Sequence, residues 1–300
     1  MTKSGIGHRM ACLMKLRSYK LSQLPMGDFS LAGYTVAGEE SVILVPELDV
    51  AFDIGKCPRE ALNVNNVLLS HGHADHMAGL PYYFAQRDFQ GIAGGKALVP
   101  VDLVGPLEDL MAAWGRVEGH VPPHEFVGMK PGDDYELRRG LVARAFPTKH
   151  ITTSLGYAII DVRQKLKEEF AGLTGPEIVA LKKKGIEITN RIEYPLVAYL
   201  GDTGKADYSV FSCVANAKVL LLECTFFDQD HIKRARAGKH IHVGDLPAML
   251  EGMKNEHIVL IHVTRRTNMA AARAILKKSL PKETLERVTF LMNAKYIEED

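Results

Sequence analysis

Six consecutive residues carry the densest chemistry in the chain: His71-Gly72-His73-Ala74-Asp75-His76. Three imidazoles and a carboxylate crowd one segment, directly after the apolar run Val67-Leu68-Leu69-Ser70. Neutral imidazole nitrogen and hard carboxylate oxygen together suit a borderline cation such as zinc. A loop rarely collects so many groups that must be desolvated unless they hold something. The spacing also suggests two ions, because His71 and His73 can point one way while Asp75 and His76 turn to a neighbouring position. Two ions need roughly seven or eight protein donors, with one position left for water. Three downstream residues are placed to complete the set. His150 follows Ala145-Phe146-Pro147-Thr148-Lys149, Asp202 follows the strand-like run Leu196-Val197-Ala198-Tyr199-Leu200, and His262 follows Ile258-Val259-Leu260-Ile261. Asp202 and His262 stand at the carboxyl ends of apolar runs, where α/β layouts place their chemistry.

The elements that must hold these donors read as alternating strands and helices. Residues 34–38, 41–45, 48–55, 99–104 and 219–223 suit strands, and the third of these carries Asp53 near its end. A helix is expected over 77–86, beginning at the metal loop, and another over 107–114. Asp245 is placed to cap a helix running to about Met253, with Pro247 in its first turn. Asn268 is placed to cap Met269–Lys278. Short apolar strands followed by capped helices favour a layered α/β fold with strands buried between helices. The donors run from His71 to His262, so one site must be built from most of the chain. That argues for a single domain over residues 1–300, with a charged insertion at about 163–194. Within the insertion Thr174-Gly175-Pro176-Glu177 reads as a capping box and Gly185 as a helix stop. Lys182, Lys183 and Lys184 would lie at the negative end of that helix.

Composition excludes some classes and leaves others open. Hydrophobic residues make up 46% of the 300, enough for a sizeable core. No apolar run approaches the roughly 20 residues that span a membrane. Cys12, Cys57, Cys213 and Cys224 show no ligand spacing and read as reduced cysteines of an intracellular, cytoplasmic protein. The net charge of +1 neither supports nor excludes a nucleic-acid substrate. Residues 1–27 hold five Lys or Arg and no acid, which suits a short basic tail better than a transit peptide.

The order HGHADH, a lone His, Gly-Asp-Thr, and a His closing a late strand resembles the metallo-β-lactamase superfamily. Within it the chain is most similar to the ribonuclease Z group, the tRNA 3′-end processing nucleases. Residues 148–159 (TKHITTSLGYAI), 79–91 (GLPYYFAQRDFQG), 223–230 (ECTFFDQD) and 239–246 (KHIHVGDL) carry that narrower resemblance, which runs from about residue 30 to about 293. It implies an αββα sandwich with a dinuclear metal site at one sheet edge. His71, His73 and His150 would hold one divalent ion and Asp75, His76 and His262 the other, with Asp202 bridging. Zinc leads the candidates, although manganese or iron depends on geometry and availability. A hydroxide between the ions would attack a phosphodiester and release the 3′ trailer of a precursor tRNA. Glu223 and His240 match the pair that serves the leaving oxygen, and His242 competes with His240 for that register.

Weaker positional candidates are Asp53, as a carboxylate orienting a metal-bound histidine, and Thr203, Ser154 and Arg266 beside the phosphate. His8, His120, His124, His231 and His257 match no motif, and Lys149 is given no role. The resemblance implies a homodimer in which an arm presents RNA to the partner. The Gly-Pro-rich arm tip of the group is not evident here, and a helical segment stands in its place. The competing reading is a hydrolase of the same fold acting on a small cyclic phosphodiester, lactone or thioester, because the same seven ligands serve all of these. A scaffold on an inactive fold is disfavoured by the complete ligand set.

Overall fold

A computed structural model of the chain describes residues 21–291. Cys12, His8 and residues 1–20 of the basic stretch lie outside the described residues. Seven strands form a first sheet in sequence order: β1 (Ser22–Pro25), β2 (Ser30–Val36), β3 (Glu40–Val45), β4 (Val50–Phe52), β5 (Asn66–Leu68), β6 (Lys96–Pro100) and β7 (Phe126–Met129). Seven more form a second: β8 (Asp134–Arg138), β9 (Leu141–Pro147), β10 (Leu155–Leu166), β11 (Thr189–Tyr199), β12 (Val219–Glu223), β13 (His257–Ile261) and β14 (Val288–Phe290). In each sheet antiparallel hairpins give way to parallel pairs, from β4 to β7 in the first and from β11 to β14 in the second.

The strands are apolar on both faces because both faces are covered. Ile43, Phe52, Leu68 and Leu98 of the first sheet meet Ile159, Val197, Leu221 and Val259 of the second in one core. The alternate residues Val42, Leu44, Val67 and Val99 point outward, against Leu80, Tyr83 and Phe84 of α2 (Leu80–Phe89, after the single turn α1, Ala74–Met77) and Leu107 and Met111 of α3 (Val104–Glu118). Leu220, Leu222, Ile258 and Leu260 point the other way. They pack on three helices: α5 (Ser212–Ala215, after α4, Gly175–Lys183), α7 (Leu246–Met249, after α6, Ile232–Gly238) and α8 (Met269–Ser279, before α9, Lys282–Glu286). Period-2 side chains on buried strands thus sort into three apolar layers, and the αββα expectation holds.

Several local readings needed correction. The expected strand over 99–104 stops at Pro100, and the chain turns through a 3₁₀ segment into α3. Short apolar runs do not separate strand from helix, and Pro106 in the first turn of α3 favours the helix. The strand over 48–55 shrinks to Val50–Phe52, since Asp49 and Asp53 both have φ above +50° and break it at each end. The helix over 77–86 divides into α1 and α2 around Gly79. Asp245 takes helical backbone angles, and its carboxylate accepts from the His242 amide and pairs with Arg236, so it caps the turn before α7. The Asn268 cap is as expected, its Oδ1 accepting from the Ala270 and Ala271 amides.

Residues 163–194 extend the β10–β11 hairpin, whose pairing continues out to Leu166 opposite Thr189. α4 crowns it. The Glu177 carboxylate accepts from the Thr174 amide at 2.8 Å, and Gly185 takes φ +76° past the helix end.

The metal loop is pressed against the end of β4. The Ile54 amide donates to the His76 carbonyl at 2.7 Å, and the Gly79 amide to the Ile54 carbonyl at 2.9 Å. A Cβ on Gly55 would lie 2.3 Å from the Asp75 carbonyl oxygen, a backbone atom that cannot step aside. Gly55→Ala is therefore expected to destabilise the fold by about 1–3 kcal/mol, as overpacking does. Urea unfolding of variant and wild type checks this, and an unchanged midpoint would show the contact to be loose.

Candidate metal centre

The donors arrive from the carboxyl ends of strands in both sheets. His71 to His76 follow β5, Asp202 follows β11, His262 follows β13, and His150 follows β9. Parallel strands in register bring these ends together: Glu223 pairs with Ile261, so β12 and β13 finish level and release Thr225 and His262 side by side.

All seven expected ligands converge. His71 Nε2 lies 2.9 Å from His73 Nδ1, which lies 3.3 Å from His150 Nε2. His76 Nε2 lies 3.3 Å from His262 Nε2, and Asp75 Oδ2 is 3.7 Å and 3.5 Å from those two atoms. Asp202 stands between the groups. Its Oδ2 is 3.8 Å from His71 Nε2 and 3.4 Å from His76 Nε2, and its Oδ1 is 3.4 Å from His262 Nε2. Three overlapping donor groups with atoms within 4.8 Å of one another result: His71, His73, His150 and Asp202; Asp75, His76 and His262; and Asp202, His240 and His262.

A cation fits this arrangement on structural grounds. Asp202 Oδ1 is buried with no hydrogen-bond donor, which is costly for a carboxylate oxygen unless a positive charge meets it. The outward nitrogens are already committed. His71 Nδ1 donates to Ser70 Oγ at 2.9 Å, His76 Nδ1 to Asp53 Oδ2 at 2.6 Å, and His262 Nδ1 to Thr225 Oγ1 at 3.1 Å. Each bond fixes the tautomer that leaves Nε2 as a bare lone pair facing the cluster, as metal-binding histidines require.

The electrostatics divide the histidines: His71 and His150 are held neutral, whereas a cation at His76 would have to displace a proton. Burial, then the His76 charge, holds His71 well below the ordinary histidine value, and burial lowers His150. Burial opposes ionisation of Asp202 and Asp75, but His262 and His76 overcome it and hold both carboxyls below their usual range. Burial also opposes the charge on His76, yet Asp202 and Asp53 raise it well above normal.

Asp53 is a hub. It accepts from the Ser70 amide at 2.6 Å, Ser70 Oγ at 2.7 Å, His76 Nδ1 at 2.6 Å, and the Tyr199 hydroxyl. Through Ser70 and His76 it touches the first two donor groups. Asp53→Asn is expected to keep the fold and to weaken metal binding about 10–100-fold, as the loss of such outer partners does. Titration against a chromophoric chelator checks this.

Glu223 and His240 form a second constellation. Glu223 is fully buried and accepts from the Thr203 amide (2.8 Å), Thr225 Oγ1 (2.7 Å), the Ile241 amide (3.1 Å) and His240 Nδ1 (2.9 Å). Four donors thus satisfy its two oxygens. Burial alone would lower His240, but the Glu223 charge and hydrogen bond, with Asp202, push it up to about 9. His240 Nδ1 is 3.9 Å from Asp202 Oδ2, and its ring stacks on His262. His242 turns away: Nδ1 accepts from the Gly244 amide and Nε2 donates to the Asp228 carbonyl. Packing thus sets His240 beside the cluster, while His242 holds a loop.

The phosphate neighbours fare less well. Thr203 is fully buried, and its hydroxyl is used by Tyr208, the Gly204 carbonyl and the Lys149 amide. Ser154 accepts from Thr148 Oγ1, and Arg266 is exposed without a side-chain bond to the cluster. His120 and His124 pair with Asp88 and Glu108 away from the site. Sequence reading missed Ser70, Tyr199, Thr225 and Tyr208, whose common residue types carry no signal outside their contacts.

Comparison with known proteins agrees with this geometry. Residues 51–263 match the family model described as the Beta-lactamase superfamily domain. tRNase Z TRZ1 of Arabidopsis thaliana is 35% identical over 251 residues, covering 82% of this chain and 89% of that protein. Ribonuclease Z of Halobacterium salinarum is 27% identical over 248 residues, covering 72% and 77%. Among solved structures, the short form of human tRNase Z superposes with a TM-score of 0.59 at 17% identity over 89% of this chain and 97% of that one. A metallo-beta-lactamase fold protein of Bacillus subtilis gives 0.61 at 14% identity, over 87% and 94%. At those identities the two superpositions speak for the fold alone. With its level of identity to TRZ1 across nearly the whole of that protein, this chain belongs to the tRNase Z family of the β-lactamase superfamily.

Proposed function

We propose that this protein is a metal-dependent endoribonuclease that removes the 3′ trailer from precursor tRNA. The observation that carries the proposal is the Glu223–His240 pair set beside a seven-donor cluster, in a chain of the tRNase Z family. The cluster would take two divalent ions, zinc by ligand type. When bound, the ions supply an activated water at neutral pH and positive charge facing the phosphoryl oxygens. Asp202 spans the two groups and fixes their separation. Ser70, Asp53 and Thr225 hold three imidazoles in the binding tautomer. Glu223 takes the Nδ1 proton of His240, so Nε2, which has no protein partner among the described residues, is the atom that can hand a proton to the departing 3′-oxygen.

Further parts of the reading are ours as well. Both sheets share one core, which supports a single domain. A homodimer is part of this reading, to be read by light scattering. Among the described residues no helix is long and apolar enough to cross a membrane. The three described cysteines are free and buried, which supports the cytoplasm as its compartment.

The deciding experiment is cleavage of a precursor tRNA bearing a 3′ trailer by metal-loaded wild type beside Asp202→Ala. A single cut just after the tRNA body, absent in the variant, is the expected result. No cut by a protein shown to hold two ions would move the activity to a small phosphodiester or lactone, with bis(p-nitrophenyl) phosphate as the next substrate. Chelation should also lower the melting temperature, and added zinc should restore it, because a ligand of the folded state stabilises that state. Equal melting curves would count against a resident metal.

A further inference from the structure

His150 sits in a loop with little of its own to hold it. Before it, the Lys149 amide donates to Thr203 Oγ1 at 3.0 Å, and the Lys149 carbonyl accepts from the Gly204 amide at 2.7 Å. After it, the Leu155 amide reaches the Ser70 carbonyl at 2.9 Å. Ser154 bridges His71 and accepts from Thr148 Oγ1, whereas the exposed Ile151 and Thr152 between it and His150 make no hydrogen bond among the described residues.

One residue spans that gap. Lys239 Nζ donates to the His150 carbonyl at 2.6 Å, and the Lys239 carbonyl accepts weakly from His150 Nδ1 at 3.4 Å. Lys239 closes α6 in the left-handed conformation, φ +50° and ψ +52°. Glycine takes that cap position without penalty, whereas a lysine is strained there. Strain held at a site points to a task for the side chain that bears it. The task is visible in the contacts, since the ammonium and the carbonyl grip one histidine at its backbone and its ring. Lys239 also directly precedes His240, so one residue sets where both imidazoles stand.

We propose that Lys239 is a positioning residue, a latch that holds His150 in its binding pose and couples it to the His240 loop. The proposal rests on the metal-centre reading above. It predicts that the latch matters to the His71, His73 and His150 group and not to the group of Asp75, His76 and His262.

The test uses the full chain, metal-free and titrated with zinc alone, for wild type, Lys239→Gly and Lys239→Arg. In Lys239→Gly the melting temperature of the metal-free protein should hold or rise, because the backbone strain is relieved. Its 149–155 segment should nevertheless exchange amide hydrogens faster than in wild type. One zinc equivalent should weaken about 10–100-fold while the other is unchanged. Lys239→Arg keeps a donor and should restore both readings. Wild-type exchange and wild-type zinc affinity in Lys239→Gly would overturn the latch. So would a loss in Lys239→Gly that Lys239→Met does not share, which would place the effect in the backbone. If Lys239→Gly does not fold, Lys239→Met removes the charge at similar length and is read in the same way. A wild type that takes up no zinc would sink the metal-centre reading, and the exchange data on metal-free protein would still decide the latch.

Discussion

Asp202→Ala is expected to abolish cleavage and to lower the metal content of the purified protein. No other carboxylate can take its place. One oxygen lies 3.4 Å from His76 Nε2 and 3.8 Å from His71 Nε2, and the other lies 3.4 Å from His262 Nε2. It is also buried, with Oδ1 lacking any hydrogen-bond donor, so its charge is reserved for what the cluster binds. Removing it leaves histidines from both groups facing one another around a dication with less negative charge to offset it. Metal analysis beside the precursor tRNA assay reads both effects. An Asp202→Ala protein that still cuts and still carries two ions per chain would refute the bridging role. Asp202→Asn is the informative second variant, since it keeps the shape and removes only the charge.

His240→Ala is expected to have the opposite signature: both ions should stay and turnover should fall by roughly 10²–10⁴, the usual contribution of a positioned acid or base. The rival outcome is real, because Asp202, His240 and His262 also offer donor atoms within 4.8 Å of one another. Geometry favours the acid. Nδ1 of His240 is 2.9 Å from Glu223 Oε1 and 3.9 Å from Asp202 Oδ2, so the nitrogen that faces the cluster is already given to Glu223. Loss of metal in His240→Ala would make it a ligand and redraw the site. Glu223→Gln supplies the cross-check, because it should slow turnover while metal content is retained. A Glu223→Gln protein with full activity would show that the pair is structural.

The seven candidate donors and several of the buried strands were legible in the sequence, for a physical reason. Several imidazoles and carboxylates in a short segment are hard to bury without a ligand, so their density alone signals a site. Runs such as Val219–Leu222 and Ile258–Ile261 are apolar throughout because both faces of those strands are covered, and that pattern is local. Asn268 and the Thr174–Glu177 box were legible for the same reason, since a cap acts within one turn of its own helix.

What only the tertiary structure decided depends on groups far apart in sequence. His240 and His242 differ by two residues and look alike in the chain. The left-handed turn at Lys239 and the buried Glu223 send one ring to the cluster, while the loop at Asp228 takes the other. Asp53 could be suspected as an orienting carboxylate. Its four donors, one of them 146 residues away, could not be. Asp245 had the residue type of a helix cap, but Arg236 and the His242 amide claimed its carboxylate first. Residue type and spacing determined which chemistry this chain can hold. Which nitrogens face the cluster, and which of the two histidines lies beside it, was set by buried hydrogen bonds between distant segments, where an unmet donor or acceptor costs too much to leave.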